Sequence, residues 1–241
     1  MPNVTSVTLQ QIFMAQQTIR GIAQVTPLVR STELSTQLGT AVHLKLETLQ
    51  PIGAFKIRGA ANKILNLTDE EKARGVVTAS TGNHGRAVAY VAKEVGITAV
   101  VCLSELVPQN KVAALQKLGA ELVIHGQSQD EAESRARQLA KERGLTMVHP
   151  FDDPLVIAGQ GTIGLELLQD LPEVDTVLVP LSGGGLIAGI ALALKLANPA
   201  IRVVGVSMEH APVMAQSLAA GKPMQLAEEP TLADSLQGGI G

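Results

Sequence analysis

The chain has 241 residues, of which 46% are apolar and 17% charged, a composition that supports a folded core and argues against general disorder. Its net charge is −3, from 19 basic and 22 acidic side chains with no long basic run, which argues against nucleic acid or an anionic membrane as the main partner. Aromatic residues make up only 2%, so Val, Leu, Ile and Ala must build the core, as in layered α/β proteins with buried parallel strands.

The only cysteine, Cys102, lies in an apolar run and has no companions at zinc-ligand spacing, so it is predicted to be an inert core residue. The N-terminus has neither the basic region nor the apolar stretch of a signal peptide. No apolar run reaches the roughly 18 residues that a membrane span needs. These features predict a reduced, cytoplasmic protein.

Short β-branched runs alternate with longer amphipathic runs along the whole chain. Strand–helix–strand alternation of this kind predicts an α/β protein, with a parallel sheet covered by helices on both faces. The predicted strands are 41–47, 75–80, 97–103, 121–125, 174–181 and 201–207.

Helix boundaries are marked by capping residues. Thr68 with Glu71, and Ser128 with Glu131, have the spacing of capping boxes. Asp153 followed by proline predicts the start of another helix.

The stretch 67–149 contains a complete series of alternating strands and helices. It is predicted to be a small domain inserted into a large domain that is made from 1–66 and 150–241. The segment 148–154, which contains two prolines, is the predicted crossing point.

The first stretch with chemical potential is "LETLQPIGAFKIRGAAN" at 46–62, in which a strand ends, a Pro-x-Gly turn follows and a helix begins. Lys56 stands at this joint between Phe55 and Ile57, whose apolar side chains would remove water from its amine. Burial disfavours the ammonium, lowers the pKa and frees a nucleophilic amine. Such a lysine forms a Schiff base with an aldehyde.

The second stretch is "TASTGNHGRAVAYVAKEVG" at 78–96, where a strand runs through a polar loop into a helix. The loop offers hydroxyl groups, an amide and unpaired N–H groups at a helix N-terminus, which suit a carboxylate. Equally, Ser80 or Asn83 could simply cap the helix, with His84 at the surface.

The third stretch is "LVPLSGGGLIAGIALAL" at 178–194, in which three glycines join an apolar strand to an apolar helix. Glycine lets the backbone approach a ligand, and the helix N-terminus attracts an anion, so a phosphate group is the natural occupant. Gly183, Gly185 and Ala188 also fit the dinucleotide pattern G-x-G-x-x-A, with Glu209 as a possible ribose-binding acid. A bare tight turn is a further alternative.

Together the three stretches resemble the fold-type II pyridoxal-phosphate family of threonine and serine dehydratases, serine racemase and threonine synthase. "GAFKIRGA" is similar to the family's S-F-K-x-R-G lysine segment, with Ala54 in place of the serine. "STGNHGRAVAY" is similar to its Ser/Thr-Gly-Asn-His loop, and "SGGGLIAGI" to its phosphate loop. Within the family, the chain looks most like the threonine-dehydratase-like proteins of hydroxyectoine utilisation. A dinucleotide site would leave Lys56 and Asn83 unexplained, whereas this resemblance uses all three stretches.

The resemblance implies a two-domain fold like that of the tryptophan synthase β-chain, pyridoxal 5'-phosphate as cofactor and a homodimer. It implies a lyase that converts a β-hydroxy amino acid to a 2-oxo acid and ammonia, with Lys56 and Thr81 as catalytic residues. The implied cofactor-binding residues are Lys56, Phe55, Asn83, Ser182, Gly183, Gly184, Gly185 and Leu186. The implied binders of the substrate carboxylate are Ser80, Thr81, Gly82 and His84.

Three departures from the family pattern refine these expectations. Racemases carry a serine where Thr81 stands, and the extra methyl group favours dehydration over racemisation. Ser207 stands where some members carry a cation-binding glutamate, so no metal is predicted. Members of the family continue well past the equivalent of Gly241, so the resemblance implies that this chain stops, at the glycine-rich "SLQGGIG", before the last strands of the large domain and before the partner of the pyridine nitrogen.

Overall fold

The computed structural model describes residues 7–80, 82–227, 229–237 and 239–240. In these ranges the helices are α1 (Leu9–Thr18), α2 (Thr32–Leu38), α3 (Lys56–Leu65), α4 (Asp69–Arg74), α5 (Asn83–Val95), α6 (Gln109–Lys117), α7 (Gln129–Arg143), α8 (Pro154–Asp170), α9 (Gly185–Ala197) and α10 (Val213–Ala220). The strands are β1 (Leu28–Arg30), β2 (His43–Lys45), β3 (Val76–Ala79), β4 (Ala99–Leu103), β5 (Glu121–Ile124), β6 (Thr146–Met147), β7 (Thr176–Pro180) and β8 (Arg202–Val206). Two short 3-10 turns cover Glu47–Leu49 and Asp234–Leu236.

Four parallel strands form the largest sheet, in the order β5-β4-β3-β6. Val76 and Ala99 belong to the apolar cluster that includes α3 and α5, whereas Val77 and Val100 pack against α7 on the other face. Both faces are therefore covered by helices, which explains why β3 and β4 are continuous apolar runs. The predicted parallel sheet with helices on both faces is confirmed.

Two smaller sheets complete the strand pairing. β7 and β8 pair in parallel, whereas β2 pairs antiparallel with β1. The predicted strand 41–47 thus shrinks to three residues, and its partner β1 was not predicted, because three residues are too few to show a period.

The predicted helix starts are confirmed. The side chains of Thr68 and Ser128 each close a capping box at the start of α4 and α7. The carboxylate of Asp153 accepts a hydrogen bond from the backbone N–H of Leu155, at 2.8 Å, and so caps α8.

Glycines let α8 pack very closely against α3 on one side and α9 on the other. A Cβ atom on Gly159 would lie 2.6 Å from the carbonyl oxygen of Arg58 in α3. A Cβ atom on Gly189 would lie 2.6 Å from the backbone nitrogen of Gly161 in α8. Glycine is therefore required at both crossings.

The division into a small domain at 67–149 and a large domain at 1–66 and 150–241 stays a prediction. All strands of the four-stranded sheet do lie between residues 76 and 147. Within the described residues, no helix has the length and apolar character to cross a membrane.

Candidate functional site

Lys56 is the first residue of α3, and its flanking residues are anchored on different sides. Ile57 is fully buried in the cluster shared by α3 and α5, whereas Phe55 packs against the cluster that holds Val179 of β7. The amine of Lys56 donates a hydrogen bond to the carbonyl oxygen of Pro150, at 2.7 Å. It also lies 5.3 Å from the centre of the Phe55 ring. Desolvation by burial lowers the pKa of Lys56 to about 8.

The loop between β3 and α5 contains the predicted carboxylate-binding residues. Gly82 donates its backbone N–H to the hydroxyl of Ser80 at 3.3 Å, and Asn83 is half-buried at the first position of α5. Gly85 packs directly on the carbonyl of Ser80, so a side chain there would overlap the backbone. Thr81 lies outside the described residues.

His84 is buried, in contrast to the surface position that the sequence alone allowed. Its Nε2 lies 2.9 Å from the carbonyl oxygen of Val148. A carbonyl only accepts hydrogen bonds, so Nε2 carries a proton. Desolvation, followed by the nearby charge of Lys56, lowers the pKa of His84 to about 3. The carbonyl groups that Lys56 and His84 bind, those of Pro150 and Val148, are two residues apart in the chain, which brings the start of α5 near the Lys56 amine.

The glycine turn, residues 182–185, joins β7 to α9. Gly184 has a φ of +90°, a backbone conformation that favours glycine. A Cβ on Gly183 would overlap the ring of Phe151, and one on Gly185 would lie 2.6 Å from the carbonyl oxygen of Phe151. The turn therefore has room for bare backbone only.

The remaining predicted residues of this turn are also placed. Leu186 packs against the same apolar cluster as Phe55. The Ser182 hydroxyl makes a long contact, 3.5 Å, with the carbonyl oxygen of Gln237. A cleft of about 400 Å³ opens beside the glycine turn, lined by Phe151 and Met214 among others. Neither Lys56 nor Asn83 is among the described residues that line this cleft.

The crossing segment, residues 148–154, links the three stretches. Val148 accepts a hydrogen bond from His84, Pro150 accepts one from Lys56, and Phe151 packs on the glycine turn. Asp153 forms an ion pair with Lys63 of α3 at 2.7 Å. The sequence singled out this segment only as a domain crossing, and its two prolines gave no sign of these contacts.

A buried charge network holds the start of α3, and sequence reasoning missed it. Arg58 is 1% exposed and makes bidentate hydrogen bonds to both Glu47 and Glu166. Lys45 pairs with the same Glu166 at 2.8 Å. The arginine of the "KIRG" sequence was the available signal, but its partners lie far away in the chain. In the described ranges, no three His, Cys, Asp or Glu side chains group in a way that could hold a metal ion.

Comparison with known proteins gives consistent matches. The protein-family model described as "Pyridoxal-phosphate dependent enzyme" matches residues 19–241. A putative threonine dehydratase of Sinorhizobium fredii is 49% identical over 241 residues, which are 100% of this chain and 73% of that protein. An L-threonine ammonia-lyase of Thermotoga maritima is 45% identical over 230 residues, which are 95% of this chain and 57% of that protein. The structure of maize serine racemase matches with a TM-score of 0.94 and 40% identity, covering 98% of this chain and 72% of that one.

Proposed function

The chain belongs to the family of pyridoxal-phosphate-dependent enzymes, and we propose that it builds the site of a lyase. The substrate is a small β-hydroxy amino acid of the L-threonine or L-serine type, and the products are a 2-oxo acid and ammonia. The names of the two relatives of similar sequence support this reaction. The observation that carries the proposal is the buried amine of Lys56, which binds the carbonyl of Pro150, two residues from the carbonyl of Val148 that His84 binds.

The residues present fit the cofactor. An aldehyde reacts with a neutral amine, and burial lowers the pKa of Lys56 to about 8. A phosphate group suits a bare backbone at a helix N-terminus, and Phe151 leaves no room for side chains at Gly183 and Gly185. A dinucleotide site with Glu209 as the ribose-binding acid fits the structure less well. Strand β8 ends at Val206, and Glu209 is exposed beyond it.

We assign the cofactor contacts as follows. Lys56 holds the aldehyde carbon, Phe55 packs beside the ring and Asn83 hydrogen-bonds the ring hydroxyl. The phosphate is held by Ser182, Gly183, Gly184, Gly185 and Leu186.

When bound, pyridoxal phosphate withdraws electrons from the Cα atom of the amino acid, which makes its proton removable. The amino group of the substrate would replace Lys56 at the aldehyde carbon, and the amine so released would take that proton on Nζ. With a pKa of about 8, roughly a tenth of its amine is uncharged at pH 7, against about one part in 2,500 for an ordinary lysine. The carboxylate of the amino acid is held by N–H groups of Ser80, Thr81, Gly82 and His84 and by the positive end of α5. Loss of the β-hydroxyl group and hydrolysis in water give the products.

A racemase is the second candidate, because the maize serine racemase structure is so similar. Racemases that this chain resembles have a serine at the position of Thr81 as their second acid–base group. The threonine in this sequence, with its extra methyl group, favours the lyase. The lyase proposal also includes a hydroxyectoine-derived amino acid as substrate and a homodimer. It further includes a cytoplasmic location and the division into two domains.

The test is a panel of amino acids followed for 2-oxo acid and ammonia, with D-serine formation from L-serine measured in parallel. We expect 2-oxo acid from L-threonine or L-serine. Lys56→Ala should lower turnover at least about a thousandfold, since it removes both the covalent anchor and the base. The exposed Lys93→Ala serves as control and should keep normal turnover. Turnover by Lys56→Ala at the normal rate would refute the assignment, and D-serine as the main product would favour the racemase.

A further inference from the structure

Arg86 connects the second stretch of the sequence to the first. It lies in the first turn of α5, three residues after Asn83, and is half-buried. Its Nη2 donates a hydrogen bond to the carbonyl oxygen of Ile52, at 2.6 Å. Ile52 lies in the turn that leads to Lys56, four residues further on.

The turn that Arg86 holds is a tight one. Gly53 donates its backbone N–H to the carbonyl oxygen of Gln50 at 2.7 Å, and Gly53 has a φ of +72°. The side chain of Ile52 is 3% exposed and belongs to the apolar cluster formed with α3 and α5. Apolar packing is not directional, so by itself it does not fix the position of α5 along this turn. A charge-assisted hydrogen bond to one chosen carbonyl fixes it.

The same segment is held at its other end by Arg58. Arg58 binds the carboxylate of Glu47 with two nitrogen atoms, both at 2.8 Å. The guanidinium of Arg58 therefore holds the beginning of the segment that leads to Lys56, at Glu47. The guanidinium of Arg86 holds the middle of this segment, at Ile52. Arg86 does so from α5, the helix that carries Asn83 and His84.

We propose that Arg86 is a positioning residue that fixes the Lys56 amine relative to the 80–84 loop. Without its hydrogen bond, the carbonyl of Ile52 is left buried without this donor, a loss of the kind that drives a turn to move toward water. The turn then loosens, and water reaches the amine of Lys56. This inference rests on the proposed function for its catalytic meaning, but its test measures the amine itself.

The test compares Arg86→Met and Arg86→Lys in the complete chain, freed of cofactor. Both replacements are unbranched and similar in length, but only lysine can donate to the Ile52 carbonyl. The control is Arg74→Met, because Arg74 also donates to a backbone carbonyl, that of Gly144, at 2.8 Å. Trace labelling with acetic anhydride across a pH series, quantified by mass spectrometry of the Lys56 peptide, gives the titration midpoint of the amine. Hydrogen exchange of the peptide 50–56 reports the turn directly.

We expect Arg86→Met to raise the midpoint of Lys56 by about one pH unit, because desolvation is what lowers it. At pH 8 the labelling rate should then fall about fivefold, since the uncharged fraction drops from one half to about a tenth. Exchange of 50–56 should become faster. The Lys56 midpoint and the exchange of 50–56 in Arg86→Lys should stay near the values of the parent protein. In Arg74→Met both values should equal those of the parent.

Two results would overturn the proposal. One is an unchanged Lys56 midpoint in Arg86→Met, and the other is an equal shift in Arg74→Met, which would mean a general loosening of the fold. If Arg86→Met does not fold, Arg86→Leu, which also lacks a donor, takes its place, and a Lys56 midpoint equal to that of the parent overturns the proposal. A lack of lyase activity in the parent protein would instead count against the proposed function, without affecting these measurements.

Discussion

The amine of Lys56 donates a hydrogen bond to the carbonyl oxygen of Pro150, which lies 94 residues away in the chain. This contact ties the N-terminus of α3 to the crossing segment at 148–154. The neighbouring Phe151 packs on the glycine turn, so a single peptide stretch separates the predicted nucleophile from the predicted phosphate site.

The pH dependence of cofactor attachment should follow the amine of Lys56. Burial lowers its pKa to about 8, so the uncharged, reactive fraction rises with pH through that value. Attachment of pyridoxal phosphate, fixed with borohydride and counted by mass spectrometry, should reach half its maximal rate near pH 8. A midpoint near 10.4, the value of a lysine in a model peptide, would contradict the burial of this amine.

Acid should destabilise the protein partly through His84. Its pKa is lowered to about 3 by burial, whereas a histidine in the unfolded chain titrates near 6.5. Only the unfolded state binds this proton between those values, so the free energy of unfolding falls as pH falls below about 6.5, by up to about 1.4 kcal/mol per pH unit. Urea unfolding at pH 7 and pH 5 should show a smaller pH effect in His84→Gln than in the parent protein. The exposed His125→Gln is the control, and an equal pH effect in all three proteins would contradict this role.

Removal of Arg58 should strongly destabilise the fold. Arg58→Met leaves the carboxylates of Glu47 and Glu166 buried without their main partner, and such losses cost about 3–5 kcal/mol. Denaturant unfolding measures the change. Arg137→Met breaks an exposed pair with Glu133 and should cost less than about 1 kcal/mol. Similar losses in the two variants would show that the buried network does not hold the fold.

The close crossing of α8 and α9 should not tolerate an added methyl group. Gly189→Ala would place its Cβ 2.6 Å from the backbone nitrogen of Gly161, and backbone cannot move aside cheaply. Overpacking of this kind costs about 1–3 kcal/mol, although alanine is the better helix former by about 1 kcal/mol. Thermal unfolding should therefore show a lower midpoint for Gly189→Ala. Gly239→Ala, with no atom within 4 Å of its Cβ, should leave the midpoint unchanged.

Local signals in the sequence predicted much of this fold. The strand predicted at 75–80 is β3, and the one predicted at 97–103 contains β4, because buried parallel strands are apolar throughout. Ser128 and Asp153 predicted helix starts correctly, since a cap acts within three residues. The desolvation of Lys56 was also predicted, from its two apolar neighbours.

Contacts between distant residues could not be predicted in this way. Arg58 and Glu166 are 108 residues apart, and the sequence around either residue does not indicate that the other is its partner. The buried His84 is paired with the carbonyl of Val148, which directly follows the last strand of the four-stranded sheet in the chain. The roles of the individual cofactor and substrate residues stay predictions.

The two glycines that face Phe151 differ in how replaceable they are. Gly183 meets the aromatic ring, so a smaller residue at 151 would open space for alanine at 183. Gly185 meets the main chain of Phe151, which every residue type shares, so no exchange at 151 makes room there. Among natural or designed variants, substitutions at 183 should therefore occur in pairs with position 151, whereas position 185 should remain glycine.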